Sequence, residues 1–105
     1  MGRTVVCGAF EWDEEKNAAN IRKHGISFEA ILPMFDDPLY MERYDWQNST
    51  LEESRYLGVG WVEGFFIIAS CYTDRDGRIR IINARRASSE EKRDYERRYK
   101  GFFHT

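Results

Sequence analysis

The chain has 105 residues, enough for one domain with its own core, and its 42% hydrophobic and 15% aromatic content excludes a disordered polypeptide. The longest clear apolar run, Phe65 to Ala69, is far below the ~18 residues that a membrane-crossing helix needs. The formal net charge of −2 would not suggest a nucleic-acid binder, but it is segregated: residues 1–54 carry 5 Lys and Arg against 11 Asp and Glu, and residues 55–105 carry 11 against 7.

The opening MGRTVVCGAF has neither a long apolar stretch nor a cleavage site, so the sequence reads as a cytoplasmic protein with no membrane partner. Cys7 and Cys71 fit no metal-ligand spacing and read as buried thiols of a reducing compartment. No repeat, low-complexity tract or linker divides the chain, so a single domain over residues 1–105 is expected.

In chain order, residues 5–12 read as a strand. Asp13 follows as an N-cap, with Glu14 and Glu15 at the positive end of the helix EEKNAANIRKH. Gly25 suits the left-handed position that ends this helix, and Ile26 is then placed to pack on Ile21. Ser27 caps a second, short helix, FEAILPMF, which Pro33 should kink or cut short. Asp36-Asp37-Pro38 is a turn. Residues 39–44, 55–61, 65–72 and 78–84 read as strands, with links at Val62-Glu63-Gly64 and at the hairpin signal Asp74-Arg75-Asp76-Gly77. Such short links make the sheet antiparallel. The expected class is α+β: an antiparallel meander sheet with two N-terminal helices and a C-terminal helix, all on one face.

The stretch RIRIINARRASSEEKRDYERRY, residues 78–99, gathers seven arginines and one lysine. Ile79 and Ile81 point to one side of their strand, Arg78 and Arg80 to the other. Ser88 and Glu91 have capping-box spacing. The terminal helix sets Tyr95, Tyr99 and Phe102 on one face and Arg93, Arg97 and Lys100 on another, while Lys92–Glu96 and Asp94–Arg98 can pair along it. Arg85 and Arg86 are not explained as helix decoration. Two rigid donor forks beside a helix start, whose free N–H groups favour anions, make a candidate phosphate or carboxylate site.

These residues resemble a known family. FEWDEEKNAANIRKHGISFEAI, FDDP and CYTDRDGRIRIINARRASSEEKRDYE look like the BrnT toxins of bacterial type II toxin–antitoxin pairs, over about residues 10–96. The matching positions are Trp12, Asp13, Lys16, Asn20, His24 and Gly25 in one element, and Arg80, Arg85, Arg86, Ala87, Glu91 and Tyr95 in the other. Lys92, Ser89 and Glu90 stand where the family often has arginine or other basic residues. The resemblance implies a RelE-like fold, ribonuclease activity and a BrnA-like ribbon-helix-helix antitoxin as partner in a hetero-oligomer. DNA would be met only through that antitoxin.

Cleavage of RNA through its 2′-hydroxyl, with no metal or other cofactor, needs a base, an acid and cations for the phosphorane charge. The sequence offers no carboxylate cluster or His/Cys pattern for a metal. Arg85 and Arg86 are the candidate catalytic cations, His24 the candidate acid or base, and Tyr95 a candidate for orienting or stacking. His104 stands one residue from the end and is set aside. Each candidate also has a structural reading: His24 can simply stabilise a helix end, Tyr95 can be core, and Glu91 can be a cap. Lys16 and Asn20 share a stripe with His24 that either faces RNA or is the solvated side of its helix. Arg75, Arg80 and Lys92 are further candidate RNA contacts, Arg75 equally plain surface. The rival classes are a non-catalytic nucleic-acid module and a protein-interaction module that grips an acidic partner with the basic corner. Trp46, Tyr40, Tyr44 and Trp61 are the aromatics expected on a partner-binding surface.

Overall fold

Residues 5–12 supply two strands rather than one. β1 (Thr4–Cys7) and β2 (Phe10–Asp13) form an antiparallel hairpin that turns at Gly8, whose φ of +61° suits glycine. The computed structural model describes residues 2–103 and continues with α1 (Glu14–His24), a 3-10 helix (Glu29–Asp36), β3 (Met41–Tyr44), β4 (Arg55–Val62), β5 (Phe66–Arg75), β6 (Arg78–Arg86) and α2 (Ser89–Phe103). The six strands form one sheet in the order β1-β2-β6-β5-β4-β3. The meander β3 to β6 is antiparallel as expected, but β2 joins β6 in parallel. That pairing is possible because α1 and the following elements carry the chain back between the two strands. No helix among the described residues is long and apolar enough to cross a membrane.

Local sequence sets the punctuation. Asp13 accepts hydrogen bonds from the N–H groups of Glu15 and Lys16 at 2.8 and 3.2 Å and so starts α1. Gly25 ends α1 at φ +70°, its N–H donating to the Ile21 carbonyl at 2.8 Å. Ile26 then enters the core, whereas Ile21 stays exposed. Ser27 Oγ accepts from Ala30 N–H, and the segment holding Pro33 forms a 3-10 rather than an α helix. Asp76 and Gly77, both at positive φ, make the tight turn between β5 and β6.

The sheet is covered on both faces, not one. Strand alternation sends Trp12, Ile68, Tyr72 and Ile81 to the first face, where they meet Ile26, Phe28, Ile31 and Met34 under α1 and the 3-10 helix. Val59 and Ala69 point to the second face and meet Leu39 and Tyr95, the latter from α2. A bulge in β6 pairs Cys71 with Asn83 but Tyr72 with Ile81, leaving Ile82 over. Ile81 and Ala84, three apart, therefore share the first-face core. On β4, Gly60 lets the 3-10 helix press close, since a Cβ there would fall 2.6 Å from Met34 Cγ.

One polar side chain ties α1 to the sheet. Asn20 Nδ2 donates to the carbonyls of Ile26 and Ala84, both at 2.8 Å, and its Oδ1 accepts from Ala84 N–H at 3.1 Å. The residue is 7% exposed, so Lys16, Asn20 and His24 do not present one solvated or ligand-facing stripe. Asn20→Ala would leave these buried backbone groups without their partner. A loss of about 2 kcal/mol is expected, read by calorimetry as a Tm roughly 10 °C lower. An unchanged Tm would mean that this clamp adds nothing to the fold.

Candidate functional site

Adjacent arginines of β6 diverge. Arg85 lies opposite Ala69 and projects to the second face, while Arg86 lies opposite Ile68 and projects to the first. Arg85 Nη1 and Nη2 donate to the two carboxylate oxygens of Glu91 at 2.7 and 3.0 Å, a bidentate pair. Glu91 Oε1 also accepts from Ser88 N–H at 2.8 Å, and Glu91 N–H donates to Ser88 Oγ at 3.2 Å, which completes the capping box of α2. Burial alone would raise the Glu91 carboxyl, but the hydrogen bonds from Arg85 and Ser88 and the Arg85 charge hold it down at about 2. The same hydrogen bonds raise Arg85 against the effect of its burial. Glu91 is thus a fixed anion that caps a helix and orients an arginine, too weak a base to take a proton near neutral pH.

Arg85 opens onto a groove of about 620 Å³. Arg43 from β3, Arg55 from the start of β4, Asn83 from β6 and Asp45 and Trp46 from the loop after β3 line it. Arg43 Nη2 lies 3.9 Å from Glu91, and Arg55 Nε donates to Glu53 at 2.9 Å. Glu53 also takes a hydrogen bond from Arg75 at 3.0 Å. The buried Cys71 thiol, 3.8 Å from Asp45, is pushed up to about 11 by burial and by the Asp45 charge, so it stays protonated near neutral pH. Three guanidinium groups outnumber the two carboxylates, Asp45 and Glu91, and with three amides and an exposed indole around the same groove they suit an anionic ligand with planar groups.

The four candidate catalytic residues do not converge. Only Arg85 lines the groove. Arg86 Nη1 donates to the backbone carbonyl of His24 at 3.4 Å, which puts that pair on the α1 side of the sheet, away from Arg85. Tyr95 is buried in the second-face core, and its hydroxyl donates to Asp37 at 2.6 Å. Burial and the Asp37 carboxylate raise its phenol above the usual range. Arg80 forms a largely buried ion pair with Glu11, while Lys16 and Lys92 are exposed on α1 and α2. His104 lies outside the described residues. Among those residues, no group of three or more His, Cys, Asp or Glu side chains is placed to hold a metal.

Of the groove residues, Arg43, Arg55 and Asn83 were not singled out from the sequence, and Trp46 only as an aromatic for a partner surface. Pairing of Arg43 with Leu57 and of Arg55 with Thr73 sets both arginines on the second face. Their signal was a cation on the same face as apolar neighbours. Of the aromatics expected on a partner surface, Trp46 and Trp61 are exposed, whereas Tyr40 and Tyr44 are half-buried. A second groove, apolar and also about 620 Å³, is lined by Leu39, Trp61, Ile67, Tyr99, Phe102 and Phe103 among others.

Comparisons with known proteins bear on the sequence and fold of this α+β chain. Residues 12–91 match the model of the family described as ribonuclease toxin, BrnT, of type II toxin–antitoxin system, and the chain belongs to that family. The crystal structure of the Brucella abortus ribonuclease toxin BrnT is similar to it, with 28% sequence identity and a TM-score of 0.54 over 74% of this chain and 94% of that one. A comparison with curated proteins found no match.

Proposed function

We propose that this chain is a RelE-like, metal-independent endoribonuclease: the 2′-oxygen attacks the scissile phosphorus and gives its proton to water, and the P–O5′ bond breaks as the 5′-oxygen takes a proton from water. The observation that carries this reading is the convergence of Arg43, Arg55 and Arg85 on one groove. Their charges, and the N–H groups that Glu91 and Glu53 leave unused, can hold a phosphodiester and stabilise the charge that develops on a phosphorane. Glu91 fixes Arg85 so that little reorganisation is needed at the moment of reaction. Lys16 and Lys92 add diffuse attraction for the RNA backbone from the exposed sides of the two helices.

As a toxin of a type II system the chain implies an antitoxin. We take that partner to be a BrnA-like ribbon-helix-helix protein in a hetero-oligomer, acting in the cytoplasm and carrying all DNA contact. The exposed Trp61, Tyr99, Phe102 and Phe103 offer it the aromatic anchors that interfaces favour.

The test is cleavage of a defined single-stranded RNA by the purified protein in the presence of a chelator. Products with a 2′,3′-cyclic phosphate and a 5′-hydroxyl are expected. A substrate with a single 2′-deoxy nucleotide at the cut position should resist. Cleavage of that deoxy substrate, or activity only with added metal, would overturn the mechanism. No cleavage of any RNA would favour a binding module instead.

A further inference from the structure

Among the described residues, Trp46 is the aromatic side chain that the fold leaves most open to water. It is 82% exposed, on the loop between β3 and β4. Folding gains almost nothing from an indole left in water. Yet the loop that carries it is pinned in many places. Asp45 N–H donates to the Arg55 carbonyl at 2.9 Å, and Ser49 N–H donates to the Asp45 carbonyl at 3.1 Å. The Asp45 carboxylate accepts from Asn48 Nδ2 at 2.8 Å, and Ser49 Oγ accepts from Arg55 N–H at 2.8 Å.

The indole itself is buttressed. Tyr44 meets Trp46 edge to face, with centroids 4.6 Å apart at 74°. Tyr56 meets Tyr44 at 5.9 Å, and Tyr72 stacks on Tyr56 at 5.9 Å. This aromatic row runs from the buried Tyr72 to the surface and ends at the rim of the groove that Arg43, Arg55 and Arg85 line. Most of the indole surface remains open. A rigid aromatic surface beside a row of cations is the combination that holds single-stranded nucleic acid: the cations take the backbone, and the ring takes a base.

We propose that Trp46 is a base-stacking subsite for the nucleotide next to the phosphate held by the arginines. Because stacking grows with ring area, a purine at that position binds better than a pyrimidine. This inference rests on the reading of the groove as an RNA site and adds a specificity determinant to it.

The experiment uses the full chain and two single-stranded RNA oligonucleotides that differ only by a purine or a pyrimidine beside one cut site. Trp46→Ala is expected to raise KM for the purine substrate on the order of tenfold, as loss of one stacked base implies, with kcat little changed and Tm unaltered. The purine preference should vanish in the same variant. Trp46→Phe should restore part of both, which a merely structural loop residue would not do. Indole fluorescence should be quenched by RNA in the wild type and not in Trp46→Ala. If wild type cleaves RNA and Trp46→Ala cleaves it with the same KM and the same preference, the stacking subsite is wrong and the arginine groove stands. If only affinity for the antitoxin falls in Trp46→Ala, the residue is an interface anchor and the proposal fails. If wild type neither binds nor cuts RNA, the ribonuclease reading fails and takes the subsite with it.

Discussion

Arg85→Ala is expected to lose RNA cleavage roughly a hundredfold. A guanidinium that meets the phosphorane in a partly enclosed groove should be worth about 3 kcal/mol of transition-state stabilisation. Arg85→Lys should recover only part, because lysine keeps the charge but loses the fork. Arg86→Ala should leave cleavage near the wild-type rate, since Arg86 projects to the other side of the sheet and reaches the His24 carbonyl. The competing account is structural. Arg85 is paired bidentately with Glu91, so its removal also loosens the corner between β6 and α2. Glu91→Gln separates the two accounts. Glutamine can still accept from Ser88 N–H, and Arg85 is then freed from a fixed anion. If Arg85 acts on the phosphate, Glu91→Gln should hold or tighten RNA binding while Tm falls. If Arg85 serves only the corner, Arg85→Ala should melt earlier yet cut at the full rate below its melting point. Measuring Tm and cleavage on the same purified variants decides between them.

The punctuation of the chain was legible because it is local. Asp13, Gly25, the Asp76-Gly77 turn and the Ser88–Glu91 box each act within a few residues, and each stands where its residue type suggests. Pairing across the sheet was less legible. Nothing within residues 5–12 announces that β2 will join β6 in parallel, because that choice is made by the core that α1 closes. Asn20 looked like a surface residue, but its partners are six and 64 positions away along the chain.

The two arginines expected to act together point to opposite faces of the sheet. Arg85 and Arg86 read as one pair by adjacency, although the period of a strand sends neighbours to opposite faces. Applied at that point, the same rule would have separated them. The groove draws instead on Arg43 and Arg55 from a different hairpin, and only the register of β3, β4 and β5 brings these beside Arg85. A family motif records the residues of one strand and helix well, but it does not show which distant strands lie beside them in the groove.

Glu91→Ala should be the most destabilising change at this corner. The carboxylate is 6% exposed and holds three groups: both terminal nitrogens of Arg85 and Ser88 N–H. Alanine removes a cap worth about 1 kcal/mol and strips Arg85 of its partner. Arg85 is 37% exposed and can rehydrate, so that second loss belongs at the lower end, about 2 kcal/mol. The sum is about 3 kcal/mol, a Tm drop of roughly 15 °C for a domain of this size. The pH dependence carries the sign of the ion pair. The folded carboxyl is held at about 2 against an ordinary value of 4.5, so the folded state favours the ionised form. Its contribution is therefore complete above the ordinary value and is lost as pH falls toward 2, because the unfolded chain takes up the proton first. Wild-type Tm should fall steeply across that window, and Glu91→Gln, which has no proton to bind there, should show a shallower slope from a lower starting Tm. Parallel slopes for the two proteins would mean that other carboxylates govern the acid transition and that the Arg85–Glu91 pair is not a main determinant of it.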